Sequence, residues 1–191
     1  MRVILASPVS EVSLASSFDR QTQRENQMES KFKILGHGAH PILIVFPLGL
    51  LATAAIFDII YLLTNNGQIA NAAYWMIAAG VVGGIVAAVP GFVDWFAIPK
   101  GTRAKRVGLV HGVGNDVVLI LFGLSWWLRC DTANHAPETV ALVLSMLGVG
   151  LSLFTGWLGG ELVERLGVAV HDGAHLDAPN TLSGRPARER D

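Results

Sequence analysis

The chain has 191 residues, a net charge of −1, and a composition that is 51% hydrophobic but only 15% charged. Soluble domains carry about 25% charged residues, so this balance, with a mean hydropathy of +0.46, argues against a water-soluble enzyme. The single cysteine, Cys130, excludes an internal disulfide and any thiolate cluster for zinc or iron–sulfur chemistry.

The first 33 residues, rich in Ser, Gln, Glu and Arg, read as a disordered tail. The apolar piece at residues 3–6 is too short for a signal-peptide core. Met28 is an alternative start to Met1, because the organised sequence begins soon after it. The membrane domain is expected over residues 34–176, and residues 177–191 as a flexible C-terminal tail.

Four apolar runs follow, over residues 41–64, 73–96, 107–128 and 138–165. A helix of about 20 apolar residues crosses the hydrocarbon layer. Pro41 suits the opening turn of the first helix, where its missing N–H is not needed. Pro90 and Gly91 are expected to kink the second. Connections of eight to ten residues make neighbouring helices antiparallel. The fold class is therefore all-α, an integral membrane four-helix antiparallel bundle.

One end of the bundle, the A end, holds the start of the first and third spans and the finish of the second and fourth. Lys31, Lys33, Lys100, Arg103, Lys105, Arg106 and Arg165 gather there. The opposite B end has an uncharged loop at residues 65–72 and a second loop with Arg129, Asp131 and Glu138. By the excess of basic residues the A end is cytoplasmic, with both termini inside a bacterial inner membrane. Trp75, Trp126, Trp127, Tyr61 and Tyr74 near the B end and Trp95 near the A end form an aromatic belt. The basic loop lacks interleaved aromatics and reads as a topology signal or a contact for anionic lipid, not as a nucleic-acid site. Glycine pairs four apart (Gly80 and Gly84, Gly108 and Gly112, Gly156 and Gly160) suit close helix packing or a homo-oligomer.

Polar groups collect at the A end: His37, His40, Asp94, His111, Asn115, Asp116, Glu161, Glu164, His171 and His175. Three roles fit them. His40 and His111 begin the first and third spans at similar depth, as axial ligands of a b-type haem would. His37, Asp94, Asn115 and Glu161 are then supporting groups or alternative ligands. A mixed imidazole and carboxylate site for a divalent metal is the second role, and a hydrogen-bonded brace of the helix ends is the third. Asp58, about 27 Å along the helix from His40, belongs to the B end and either bonds a neighbouring helix, snorkels to the interface or joins an ion path. His135 reads as solvated. No phosphate loop, HExxH pair or GxSxG elbow is present, so no catalytic residue is assigned.

The segments GHGAHPILIVFPLGL (residues 36–50), PGFVDW (90–95), HGVGN (111–115) and GWLGGELVERLGVAV (156–170), in this order and each at its own helix end, resemble the bacterial predicted membrane proteins of domain of unknown function 2231. The resemblance implies a four-helix membrane domain. Relatives joined to Rieske-type iron–sulfur domains imply electron transfer with a redox partner protein. The family pattern often has an aromatic residue and a histidine where this chain has Glu164 and Leu166, which leaves His40 and His111 as the haem ligands here. The expected role is non-enzymatic: haem or ligand binding for electron transfer at the inner face. The alternatives are a structural subunit without cofactor and a small ion or solute transporter.

Overall fold

The computed structural model describes residues 27–190. A tight hairpin opens it, with β1 (Lys33–Ile34) antiparallel to β2 (His37–Gly38). Leu35 and Gly36 turn the chain between them, both at positive φ. A two-residue turn of this hand matches the twist of the flanking strands.

The first span is two collinear pieces, α1 (Ala39–Leu43) and α2 (Val45–Thr64), separated at Ile44. Pro47 explains the break: it has no N–H for the Leu43 carbonyl four residues back. The helix starts before Pro41, which sits third in the first turn and still needs no donor there. The second span is α3 (Gly67–Ala97), continuous through Pro90. The third is α4 (Arg103–Trp127), and the fourth is α5 (Thr139–Gly160), continued by a π-helical turn over Glu161–Arg165. All four are long and apolar enough to cross a membrane.

Both ends of α3 and the start of α4 fall outside the apolar runs. The expected loop at residues 65–72 shrinks to Asn65 and Asn66. Asn65 takes the left-handed conformation that closes α2, and the Asn66 side chain accepts the Gln68 N–H at 3.0 Å to open α3. Asparagine is well suited to both tasks. At the A end, Thr102 caps α4 by accepting the Lys105 N–H. Arg103, Lys105 and Arg106 are therefore in the first turns of a helix, not in the loop. Cations are disfavoured at a helix N-terminus, and Lys105 reaches across to resolve this. Its Nζ donates to the Trp95 carbonyl (2.6 Å) at the end of α3 and lies 3.9 Å above the Trp95 ring.

The cross-section shows what solvent the fold was built for. The central cluster is Leu51, Ala54, Ala73, Ile77, Val118 and Phe122. Outside it, Val45, Leu63, Trp127, Leu153 and Trp157 are each more than 60% exposed. Large apolar groups left outward are sensible when the surroundings are hydrocarbon, where packing and not apolar burial drives helix association. Gly80 and Gly84 of α3 serve that packing: a Cβ at either would lie 2.7 Å or less from Leu51 or Leu119. Gly112, Gly156 and Gly160 do not, since nothing lies within 4 Å of a Cβ there.

The expected loose tail over residues 1–26 lies outside the described residues. Residues 28–33, placed in that tail by composition, are fastened to the domain. Met28 pairs with Val168 in a parallel bridge, its N–H donating to Gly167 and its carbonyl accepting from Ala169. Asp94 accepts from the Ser30 hydroxyl (2.6 Å) and the Lys31 N–H (2.6 Å). Glu29 accepts from Lys33 and from the Asp172 N–H, with His171 Nδ1 3.5 Å away. This strap ties the start of the first span to the chain leaving the fourth. Composition missed it because the fastening is made by backbone groups and by two carboxylates distant in sequence.

The Lys33 ammonium beside Glu29, with the Asp172 N–H, holds the Glu29 carboxyl below the usual carboxylate range. A depressed carboxylate stabilises the folded contact fully above its unfolded pKa and loses that contribution as pH falls through the depressed value. Hydrogen-exchange protection at the Met28 and Ala169 amides, measured relative to intrinsic rates, should therefore be constant near neutral pH. It should fall in acid below the ordinary carboxylate range, and Glu29→Gln should remove that acid-side step.

Candidate functional site

The sequence offered ten polar groups at the A end; the fold brings two of the histidines together. The rings of His40 (α1) and His111 (α4) are 6.2 Å apart between centroids, with planes at 87°. His40 Nδ1 lies 2.7 Å from the Ala87 carbonyl of α3, and His111 Nδ1 lies 2.9 Å from the Thr155 carbonyl of α5. A carbonyl only accepts, so each Nδ1 carries the proton. In the neutral ring the lone pair is then on Nε2. Backbone carbonyls holding Nδ1–H are the usual means of fixing the tautomer and orientation of a metal-binding histidine.

The local sequence makes room for both rings. Pro90 has no N–H for the Val86 carbonyl four residues back, in the same turn as Ala87. The His40 N–H is a donor to that turn from another helix. A Cβ on Gly91 would lie 2.8 Å from His40 Nδ1, and one on Gly159 would lie 3.1 Å from His111 Cε1. Gly91 and Gly159 thus have a steric purpose, for Gly91 beyond the expected kink. The pair is also deeper than the hydropathy run suggested. His111 is eight residues into α4, about 12 Å from its start.

Asn115 is the remaining polar neighbour. Its Nδ2 donates to the His111 carbonyl (2.8 Å), and its Oδ1 accepts from Thr155 Oγ1 (3.0 Å). Nδ2 is also 3.3 Å from His111 Nε2 and 3.5 Å from Nδ1. Near-equal distances to both nitrogens put it over the ring face, an N–H to π contact.

The other expected supporting groups have different partners. Asp94 is engaged by Ser30 and Lys31, and Glu161 pairs with Arg103 at 2.7 Å. His37 is exposed in β2, with Nδ1 3.3 Å from the Leu35 carbonyl. His171 sits in the strap, His175 bonds the Glu189 carbonyl, and Glu164 is exposed. Among the described residues no three His, Cys, Asp or Glu side chains come together as a ligand group. The mixed imidazole and carboxylate site is not assembled, because its carboxylates hold the strap and Arg103.

The B end contains a polar site that the residues alone did not reveal. Arg129, read as a loop charge, is completely buried, as is Asp58. The guanidinium donates to both Asp58 oxygens, at 2.6 and 2.7 Å. Its Nη2 also reaches the hydroxyls of Ser125 (3.0 Å) and Ser145 (2.9 Å). The Ser125 hydroxyl donates to the Ala141 carbonyl at 2.7 Å. This network joins α2, α4 and α5 where the spans approach the B end. His135 is half-buried, not solvated: it stacks on Tyr74 at 3.9 Å and bonds the Arg129 carbonyl. A signal for the pair existed. Asp58 and Arg129 have opposite charge and equal depth on different spans, and Ser125 precedes Arg129 by one helical turn.

Four membrane-crossing helices around an internal histidine pair and an internal ion pair define an all-α integral membrane protein. Residues 36–172 match the family model described as predicted membrane protein DUF2231, and the chain belongs to that family. No curated protein and no solved structure matches it.

Removing one partner of a buried ion pair leaves an uncompensated charge and costs about 3–5 kcal/mol. Arg129→Ala and Asp58→Asn should each lower the thermal unfolding midpoint in detergent sharply. Asp58→Leu combined with Arg129→Met should recover most of the loss, because no charge is then stranded.

Proposed function

We propose that this chain is a b-type cytochrome subunit, in which His40 and His111 would hold one haem and the protein passes single electrons to and from a partner. The observation that carries the reading is the facing pair itself. Two metal–nitrogen bonds of about 2 Å, with half an imidazole added at each end, separate ring centres by roughly 6 Å; the observed separation is 6.2 Å. Both rings are oriented through Nδ1, which leaves Nε2 for a metal. A donor set of two neutral imidazoles and no carboxylate suits haem iron held for electron transfer.

When bound, the haem supplies the redox chemistry. The protein's residues hold and tune it. Ala87 and Thr155 raise the basicity of the imidazoles through their Nδ1–H bonds, and Asn115 fixes the His111 ring from its face. The apolar surroundings of the pair restrict water.

The reading places the A end in the cytoplasm of a bacterium, with the membrane domain in the inner membrane and both termini inside. The support is the basic surplus at that end, which includes Lys31, Lys33, Lys100 and Arg103. Arg129 adds no free charge to the B end because Asp58 neutralises it. A redox partner would then meet the A end, where the strap and the Lys105 latch are exposed to the cytoplasm.

A second reading has its own support. The same imidazoles tie α1 to α3 and α4 to α5 through their carbonyl bonds, which is a structural brace without a cofactor. A spectrum separates the two. Protein purified in detergent from haem-replete cells should show a Soret band and sharpened reduced peaks with dithionite, both lost in His40→Ala and His111→Ala. Colourless protein with no bound metal would leave the brace.

A further inference from the structure

The fold leaves Asp116 unanswered. It lies near the midpoint of α4, about 20 Å along the helix from Arg103 and about 16 Å short of Trp127. Its side chain is exposed on the outer surface, and among the described residues it has no hydrogen bond, ion pair or other partner. Val113, Val117 and Ile120, all within about one turn, are exposed too. At this depth the surface faces hydrocarbon, where a lone carboxylate is among the least favourable of side chains. Asp58 in the same bundle shows the ordinary resolution, a buried partner.

Gly112 and Gly123 lie four residues before and seven after Asp116, on the same stripe of α4. Where a Cβ would stand, both are open to 4 Å. Gly80 and Gly84 differ, being filled by the protein's own helices. So α4 presents a shallow outward notch with a carboxyl set in it.

What could cover the notch is constrained by charge. No Lys or Arg stands at this depth on the described surface. The basic residues of α4 lie at its A-end start, and Arg129 is enclosed against Asp58. A second copy docked face to back therefore offers Asp116 no counter-charge. A two-fold axis along the membrane normal brings equal depths together, Asp116 against Asp116 and Gly112 against Gly112. Two touching carboxyls do not both ionise; they share a proton, one donating to the other. A carboxyl is both donor and acceptor, so the same residue on two protomers satisfies itself.

We propose that α4 is a self-association face, and that in the bilayer this chain forms a two-fold dimer whose Asp116 carboxyls share a proton across the Gly112–Gly123 notch. The proposal does not depend on haem binding.

The test uses the full chain in lipid vesicles. In a Cys130→Ser background, Gly112→Cys should form a disulfide-linked dimer on mild oxidation, while Val89→Cys on the outer face of α3 should not. Energy transfer between labelled protomers, followed on lipid dilution, should give a dimer dissociation constant about tenfold weaker for Asp116→Leu. Asp116→Asn should stay near the parent, since an amide also donates and accepts. A monomer at every lipid ratio, cross-linking at position 89 in place of 112, or an Asp116→Leu protein that associates as tightly as the parent overturns the proposal. A hydrophobic carbodiimide that modifies Asp116 fully in the parent protein would do so as well, because a paired carboxyl is shielded.

Discussion

Hydrocarbon offers no hydrogen bonds, so a polar group carried into the membrane must find its partner inside the protein. That constraint organises the interior of this bundle. Asp58 and Arg129 answer each other, with the Ser125 and Ser145 hydroxyls accepting from Nη2. The imidazoles of His40 and His111 are held by carbonyls from helices other than their own. Each solution spans two or three helices, so the polar groups define which helices are neighbours and at what register. The apolar residues, nearly as comfortable in lipid as in the core, specify this much less.

The two ends are built on different principles. At the B end the chain turns in two residues between α2 and α3, and the ion pair is sealed from solvent. Rigidity there comes from desolvated charge. At the A end the fastening is peripheral: the strap on Asp94, the Lys105 latch on the carboxyl end of α3, and the Arg103–Glu161 pair. The interior below them is left to two histidines and several glycines. Gly91 and Gly159 leave room there for the imidazoles: a Cβ would lie 2.8 Å from His40 Nδ1 and 3.1 Å from His111 Cε1.

Much of this was legible in the chain and some was not. The four spans, their antiparallel order and the similar depth of His40 and His111 follow from run length and from which residues begin which run. The partners of Asp94 and Glu161 do not follow. Both carboxylates lie at the right depth to support a histidine, but depth along a helix carries no azimuth, and Ser30 and Arg103 were nearer. Arg129 was hidden for a related reason. It stands just past two tryptophans at the end of an apolar run, where a charge ordinarily faces water. Whether it turns inward depends on Asp58, 71 residues earlier in the chain.

The sequence by itself determined the class of protein, the number of crossings and the surplus of positive charge at one end. Those are properties of composition and spacing, which lipid and water read locally. Tertiary structure alone decided which polar groups meet. It paired the two imidazoles at 6.2 Å, enclosed Arg129 with Asp58, drew residues 28–33 onto the domain and left Asp116 facing outward. Such meetings depend on the rotation and register of each helix. Those are fixed by close contacts such as Gly91 against His40 and Gly84 against Leu119, between residues far apart in the chain.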